Sequence, residues 1–186
     1  MTVDEFIAWA PGDRWELVDG EPRAMAPASA THGIIQTNVA YTLTQHLRDA
    51  GSSCRVVTEP GLVPQVRSRS NMRVPDLAVT CSEVDAGQIA LPEPVLAAEI
   101  LSPNNESNTW ANVWTYVSIP SVQEVLVLRS ASIAADLLRR RPDGTWPEEA
   151  IKFEGGDALT LASIGLNCPL RDFYIGTYLV RSRDPG

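Results

Sequence analysis

Lysine is almost missing from this 186-residue chain: Lys152 is the only one among fifteen basic residues. Histidine is nearly as scarce, with His32 and His46 alone, and cysteine is limited to Cys54, Cys81 and Cys168. No CxxC pair occurs, so a zinc site is poorly supported. Three cysteines far apart and odd in number argue against a disulfide framework and fit a reducing cytoplasm. No apolar run approaches the roughly 18 residues that span a bilayer. The opening Met1-Thr2-Val3-Asp4-Glu5 is acidic and has no basic stretch, so no signal peptide is expected. Fifteen Lys+Arg stand against twenty-three Asp+Glu, for a net charge of −8 and a pI near 4.7. Such a mean field repels polyanions and speaks against constitutive coating of nucleic acid, which needs a basic face. It leaves room for an enzyme that meets such a polymer through metal ions and a few local arginines.

What is present describes a soluble globular protein: 44% apolar and 20% charged residues. Residues 1–186 are expected to form a single domain with one sizeable core. Thr2 to Ala10 reads as a short helix with a Thr2/Glu5 capping box, stopped by Pro11-Gly12. Arg14–Val18 and Glu21–Met25 read as a hairpin turned by Asp19-Gly20. A long helix is expected from about Thr31 to Ala50, with Ile34, Ile35, Val39, Leu43 and Leu47 as its apolar stripe and Gly51 as its stop. Cys54–Val66 has a β pattern broken by Pro60-Gly61. Val74–Cys81 and Val95–Leu101 read as apolar strands. Ser102-Pro103-Asn104-Asn105 opens a helix to about Ser118. Val122–Leu128 and Ser132–Arg140 read as further strands, Pro142-Asp143-Gly144 turns the chain toward Glu149–Phe153, and a last short helix is expected within Leu166–Val180. The sum is α+β, a central mixed sheet flanked by helices.

Two of the strands carry carboxylates that an apolar strand should not hold. In Val74–Cys81, alternation puts Leu77, Val79 and Cys81 on one face and Asp76, Ala78 and Thr80 on the other. Glu99 lies inside Val95–Leu101 with apolar neighbours on both sides. An ionised carboxylate there is costly unless it is paired or bound to a metal. If the two strands run antiparallel, Asp76 near the start of one can face Glu99 near the end of the other. The two charges would then repel unless a divalent cation lay between them. Mg²⁺ suits such a pair, because it takes one or two carboxylates together with waters and substrate phosphate. The plainer alternatives are an arginine partner for Glu99 and a turn-capping part for Asp76. Glu16, between Trp15 and Leu17, is a third candidate whose alternative is a solvated edge-strand residue.

Several motifs in order resemble one family. Trp15-Glu16-Leu17-Val18-Asp19-Gly20-Glu21 is similar to its opening aromatic-Glu-Leu-X-Asp-Gly-Glu motif. Met25-Ala26-Pro27 with His32, Val74-Pro75-Asp76, and Ala98-Glu99-Ile100-Leu101-Ser102-Pro103 match its later landmarks. The chain is identified on these motifs as a member of the bacterial restriction endonuclease group with the PD-(D/E)XK, or restriction-endonuclease-like, fold. The resemblance implies a nuclease core in which Asp76 and Glu99 hold Mg²⁺ (or Mn²⁺), Glu16 completes or supports the site, and DNA is the substrate. In the family the following helix carries Asp, Lys and Tyr at intervals of four. Here the stripe is Asn108, Asn112 and Tyr116, on one helical face with two charges lost. Asn112 is expected to point at the carboxylates, donating a hydrogen bond but supplying no charge. The enzyme is therefore expected to be slow or inactive; the alternative is a degenerate nuclease fold serving as a binding or interaction module, with a homodimer as one form. The family's Glu-Tyr-Trp-like strand is altered to Gln123-Glu124-Val125-Leu126.

The remaining polar residues are read by position. Arg73 and His32 are candidate phosphate-binding residues, with Arg67 and Arg69 in the same loop as Arg73. His46 reads as surface, and Arg139, Arg140 and Arg141 as a solvated strand edge that discourages pairing. Trp110 and Trp114 read as core or dimer contacts.

Overall fold

The computed structural model describes residues 1–9, 14–103 and 106–180. The expected Pro11-Gly12 helix stop and the Asn104-Asn105 helix opening lie outside the described residues. Helix α1 is Val3–Trp9, and its capping box is formed: the Glu5 N–H donates to Thr2 Oγ1 and the Thr2 N–H to Glu5 Oε2. Strands β1 (Trp15–Val18) and β2 (Glu21–Ala24) form the hairpin, with Asp19 at φ 52° and Gly20 at φ 86°. Both central turn residues are left-handed, the conformation that Asp-Gly accepts at little cost. Helix α2 is Ala30–Asp49, capped by Ser29, whose side chain accepts from the His32 N–H.

The central sheet holds β3 (Arg55–Thr58), β4 (Leu77–Thr80), β5 (Pro94–Leu101), β6 (Glu124–Arg129), β7 (Ala134–Arg139) and β8 (Ile151–Glu154), in that spatial order. Only the β5–β6 pair is parallel, so the sheet is mixed. Helix α3 (Glu106–Tyr116) makes the crossover between those two strands. A hairpin of β9 (Ala158–Leu161) and β10 (Leu166–Pro169) leads into a 3-10 helix at Leu170–Tyr174. No helix among the described residues is long and apolar enough to cross a membrane.

Each sheet face has its own core. Leu77, Val79, Leu96, Ala98 and Ile100 pack against Ile35, Val39, Leu43 and Leu47 of α2. Ala78, Ala97 and Leu101 pack with Val113 and Tyr116 of α3. The strict alternation of β4 and β5 therefore serves two helices, one per face, and both faces are buried. A third cluster of Phe6, Leu17 and Met72 seats the N-terminal helix and hairpin.

Several expectations are corrected. Ile34 is 37% exposed, because the buried stripe runs at intervals of four from Ile35 and leaves Ile34 off its axis. Cys54 and Cys81 are joined as a disulfide, against the expectation that none would form. The register that pairs Arg55 with Thr80 sets these two residues opposite each other across β3 and β4, however far apart they are in sequence. Regular pairing in Cys54–Val66 stops at Thr58, and Gly61 and Leu62 make only isolated bridges. Strands β9 and β10 have no counterpart among the expected elements, and the short helix within Leu166–Val180 is confined to Leu170–Tyr174.

His46 is half-buried, with Nε2 2.9 Å from the Ile164 carbonyl, because the end of α2 meets the β9–β10 turn. Arg139 is no solvated edge either: β8 covers β7, and Arg139 Nε donates to the buried Glu124 Oε1 at 2.6 Å. Arg140 donates to the carbonyls of Val117, Ile119 and Pro120, and lies over the Trp146 ring. Trp110 is half-buried against the α3-side core, whereas Trp114 is exposed.

Candidate active site

The antiparallel pairing of β4 and β5 places Leu77 opposite Ala98. One step further along the same register, Asp76 faces Glu99. Both residues are more than nine-tenths buried. Asp76 is fixed from several directions. His32 Nε2 lies 2.8 Å from its Oδ1, and the Ile100 N–H donates to its Oδ2 at 2.7 Å. Its carbonyl accepts from Gln36 Nε2 and from the Glu59 N–H. Two successive elements of α2, His32 and Gln36, thus hold one residue at the mouth of β4.

Glu99 is less well supported. The Tyr116 hydroxyl donates to its Oε1 at 2.7 Å. Burial, then the neighbouring Asp76 charge, push the Glu99 carboxyl well above the ordinary carboxylate range, and Glu16 adds to the rise; Tyr116 and Asn112 pull the other way. Burial first, and the Glu99 charge next, raise the Tyr116 phenol as well.

Glu16 enters from the hairpin. Leu17 exchanges backbone hydrogen bonds with Met72, which docks β1 alongside the segment before Asp76 and sets Glu16 beside Arg73. Arg73 Nη1 is 3.7 Å from Glu16 Oε1. In the hairpin register Arg23 stands opposite Glu16. Burial raises the Glu16 carboxyl, opposed by Arg73, Arg23 and the Asn112 amide. Asn112 therefore interacts with both Glu16 and Glu99, from one turn of α3 before Tyr116.

These groups line a cleft of about 640 Å³ whose walls come from the hairpin, the start of α2, the segment before β4, the end of β5 and α3. Arg14, Arg23 and Arg73 all contribute to it. The cleft thus brings three guanidinium groups together with the three carboxylates Glu16, Asp76 and Glu99.

A family model described as Uma2, putative restriction endonuclease, matches residues 3–171. The chain belongs to that family. It is similar to the uncharacterized protein slr1290 of Synechocystis sp., at 28% identity over 180 residues, covering 95% of this chain and 92% of the relative. Its fold is similar to the crystal structure of a putative nuclease belonging to DUF820 from Anabaena variabilis. The TM-score is 0.76 at 18% identity, over 94% of this chain and 97% of that one. The restriction-endonuclease-like fold expected for the Uma2-family chain is the fold it has.

The residues singled out from the sequence, Glu16, Asp76, Glu99, Asn112, Arg73 and His32, line this one cleft. His32 sits against Asp76 rather than free in the opening. Arg67 pairs with Asp19 outside it. Among the described residues no group of three His, Cys, Asp or Glu side chains is placed to hold a metal ion. Glu16 shares the cleft with Asp76 and Glu99 and stands beside Arg73. Two cleft residues were missed, Arg14 and Arg23. The second was readable, since an Asp-Gly two-residue turn at 19–20 dictates that residue 23 faces residue 16.

The donor set suits a divalent cation. Asp76 and Glu99 offer hard oxygen ligands from adjacent strands, and Mg²⁺ takes one or two carboxylates and fills the rest of its shell with water and phosphate oxygen. Glu16 Oε2 is buried with no hydrogen-bond partner, which leaves it able to accept from a water in the cleft.

Proposed function

We propose that the chain is a divalent-metal-dependent endonuclease that hydrolyses DNA phosphodiester bonds. The observation carrying this reading is the facing of Asp76 and Glu99 across β4 and β5, buried in an arginine-lined cleft. Asp76 and Glu99 would hold Mg²⁺ or Mn²⁺. The ion would supply Lewis-acid polarisation of the phosphodiester, acidify water beside it and offset charge on the leaving oxygen. The protein supplies the rest. His32, Gln36 and the Ile100 N–H fix Asp76 in one orientation, and Tyr116 fixes Glu99. Glu16 accepts a hydrogen bond from the attacking water and orients it. Asn112 spans Glu16 and Glu99 and holds the water side of the site to the carboxylate side.

A second reading has its own support. Asn112 stands where the family motif has lysine, and the described residues give no third ligand. On that reading the fold is a catalytically degenerate interaction module, and a homodimer is one form it takes. A cytoplasmic location accompanies the DNA reading, and there the Cys54–Cys81 pair would be held as thiols.

Two measurements separate the readings. Titration with Mn²⁺ or Mg²⁺ should give heat and raise the thermal midpoint of the wild type, and both responses should vanish in Asp76→Ala and Glu99→Ala. Incubation with plasmid, single-stranded DNA and RNA should then show metal-dependent cleavage of DNA. A wild type that shows neither metal response nor cleavage, and behaves like the two alanine variants, defeats the enzyme reading.

A further inference from the structure

The helix that should carry a cation carries Asn112, and Lys152 lies on β8 at the far edge of the sheet from β4 and β5. The cleft nevertheless holds a buried positive charge. Arg73 is 7% exposed and lines the same cavity as Asp76, Glu99 and Asn112. Its nearest carboxylate, Glu16, is 3.7 Å away, beyond good hydrogen-bond distance, and its Nε is buried without a partner. Among the described residues five buried side-chain polar atoms lack a hydrogen-bond partner, and four of them belong to Arg14, Trp15, Glu16 and Arg73. Native proteins leave few such atoms, and a buried guanidinium so poorly paired is costly. Three of those four residues, Arg14, Glu16 and Arg73, line the cleft, and they mark the place where a polar ligand would supply the missing partners. The other two cleft arginines are otherwise placed: Arg14 is held by Glu59 at 2.7 Å, and Arg23 sits on the exposed hairpin strand.

We infer that Arg73 is the cation of this site, taking the place of the absent helix lysine and donating to a non-bridging oxygen of the phosphodiester. The inference rests on the nuclease reading above for its reaction, and on the loose Glu16 pairing and partnerless Nε of Arg73 for its residue. The guanidinium fork suits a phosphate oxygen pair and stays protonated throughout, so it stabilises charge without moving a proton. The charge reaches the cleft from the segment before β4 instead of from α3, which explains how Asn112 can be tolerated.

The test uses a fluorescein-labelled DNA duplex in Ca²⁺, read by anisotropy over a range of salt, beside Mn²⁺-dependent cleavage of the same duplex. Arg73→Gln should lower the slope of log affinity against log salt by about 0.9, one phosphate contact. It should also slow cleavage by about a hundredfold or more. Adding Asn112→Lys to Arg73→Gln should restore the slope and recover at least about tenfold in rate, whereas Asn112→Lys alone should gain less than about threefold, the charge being already present. An Arg73→Gln protein with wild-type slope overturns the inference. So does a folded Arg73→Gln protein whose loss Asn112→Lys leaves uncorrected, since Arg73 would then be structural. If Arg73→Gln does not fold, Glu16→Gln/Arg73→Gln removes both charges of the buried pair and is compared with Glu16→Gln. Cleavage absent from the wild type rejects the nuclease reading alone, and the slope still decides the inference; a wild type that binds no duplex overturns both.

Discussion

Glu99 and Glu124 lie on neighbouring strands, β5 and β6, each inside an apolar run and each almost wholly buried. Their surroundings differ completely. Glu124 accepts from Arg139 Nε, the Ala162 N–H, the Ser163 N–H and the Ser163 hydroxyl, all within 3.1 Å. One cation and three neutral donors meet its two oxygens, and the carboxylate pins the β9–β10 turn to the sheet. Glu99 has the Tyr116 hydroxyl and the Asn112 amide, and faces another acid, Asp76. The first is a carboxylate whose partners are all within the protein. Among the described residues no cation is paired with the second. Equal burial therefore says nothing about role; the ratio of donors to negative charge does.

The sharpest way to break this contrast is to remove each carboxylate. Glu124→Ala leaves Arg139 and the turn donors unpaired and should cost about 3–5 kcal/mol in urea unfolding. Glu99→Gln should go the other way. Without metal near pH 8 it should leave stability unchanged or raise it by about 1–3 kcal/mol, because an uncompensated buried charge is gone. It should also abolish the metal-induced thermal shift. A Glu99→Gln protein as unstable as Glu124→Ala would erase the distinction.

The pH dependence of the metal-free protein sharpens it further. The folded Glu99 carboxyl titrates above its unfolded value, so the folded state keeps a proton that the unfolded chain has lost. That contribution is complete below the ordinary carboxylate range, near about pH 4.3, and is lost as pH rises through the higher folded value. Glu16 is raised by burial and acts in the same direction. As pH rises above the ordinary carboxylate range the wild type should lose stability relative to Glu99→Gln, and saturating Mg²⁺ should remove most of the loss. Urea unfolding at a series of pH values measures it.

The smallest effects test single donors. Tyr116→Phe takes the Tyr116 hydroxyl from Glu99 and should cost about 1.5 kcal/mol. Ser163→Ala removes one of four contacts to Glu124 and should cost about 0.5–1 kcal/mol, with the pairing to Arg139 intact. If Ser163→Ala proves the costlier, the Glu124 set is less redundant than its geometry implies.

Both glutamates were visible in the sequence, and only one was singled out. Glu99 drew attention because Asp76 occupies a matching place in another strand and because the Glu-Ile-Leu-Ser-Pro run is a motif. Glu124 had no such partner nearby: Arg139 is fifteen residues away and Ser163 thirty-nine. The same blindness covers the misread cysteines and Arg139–Arg140. Each of these depends on which residues stand opposite across strands, and spacing along the chain does not encode that once a long connection intervenes.

By itself the sequence determined the local elements. The capping box, the Asp-Gly hairpin, the period-3.6 stripe of α2 and the alternation in β4 and β5 all arise from steric and hydrogen-bonding preferences acting over a few residues. It also determined that Asp76 and Glu99 would be costly to bury unpaired. Tertiary structure alone decided who answers that cost. The antiparallel register brings the two acids face to face, the docking of Leu17 on Met72 carries Glu16 to Arg73, and α3 presents the Asn112 amide to Glu16 and Glu99. Coulomb and desolvation terms change steeply over a few ångströms in a low-dielectric interior, and those few ångströms are set by the packing of distant segments.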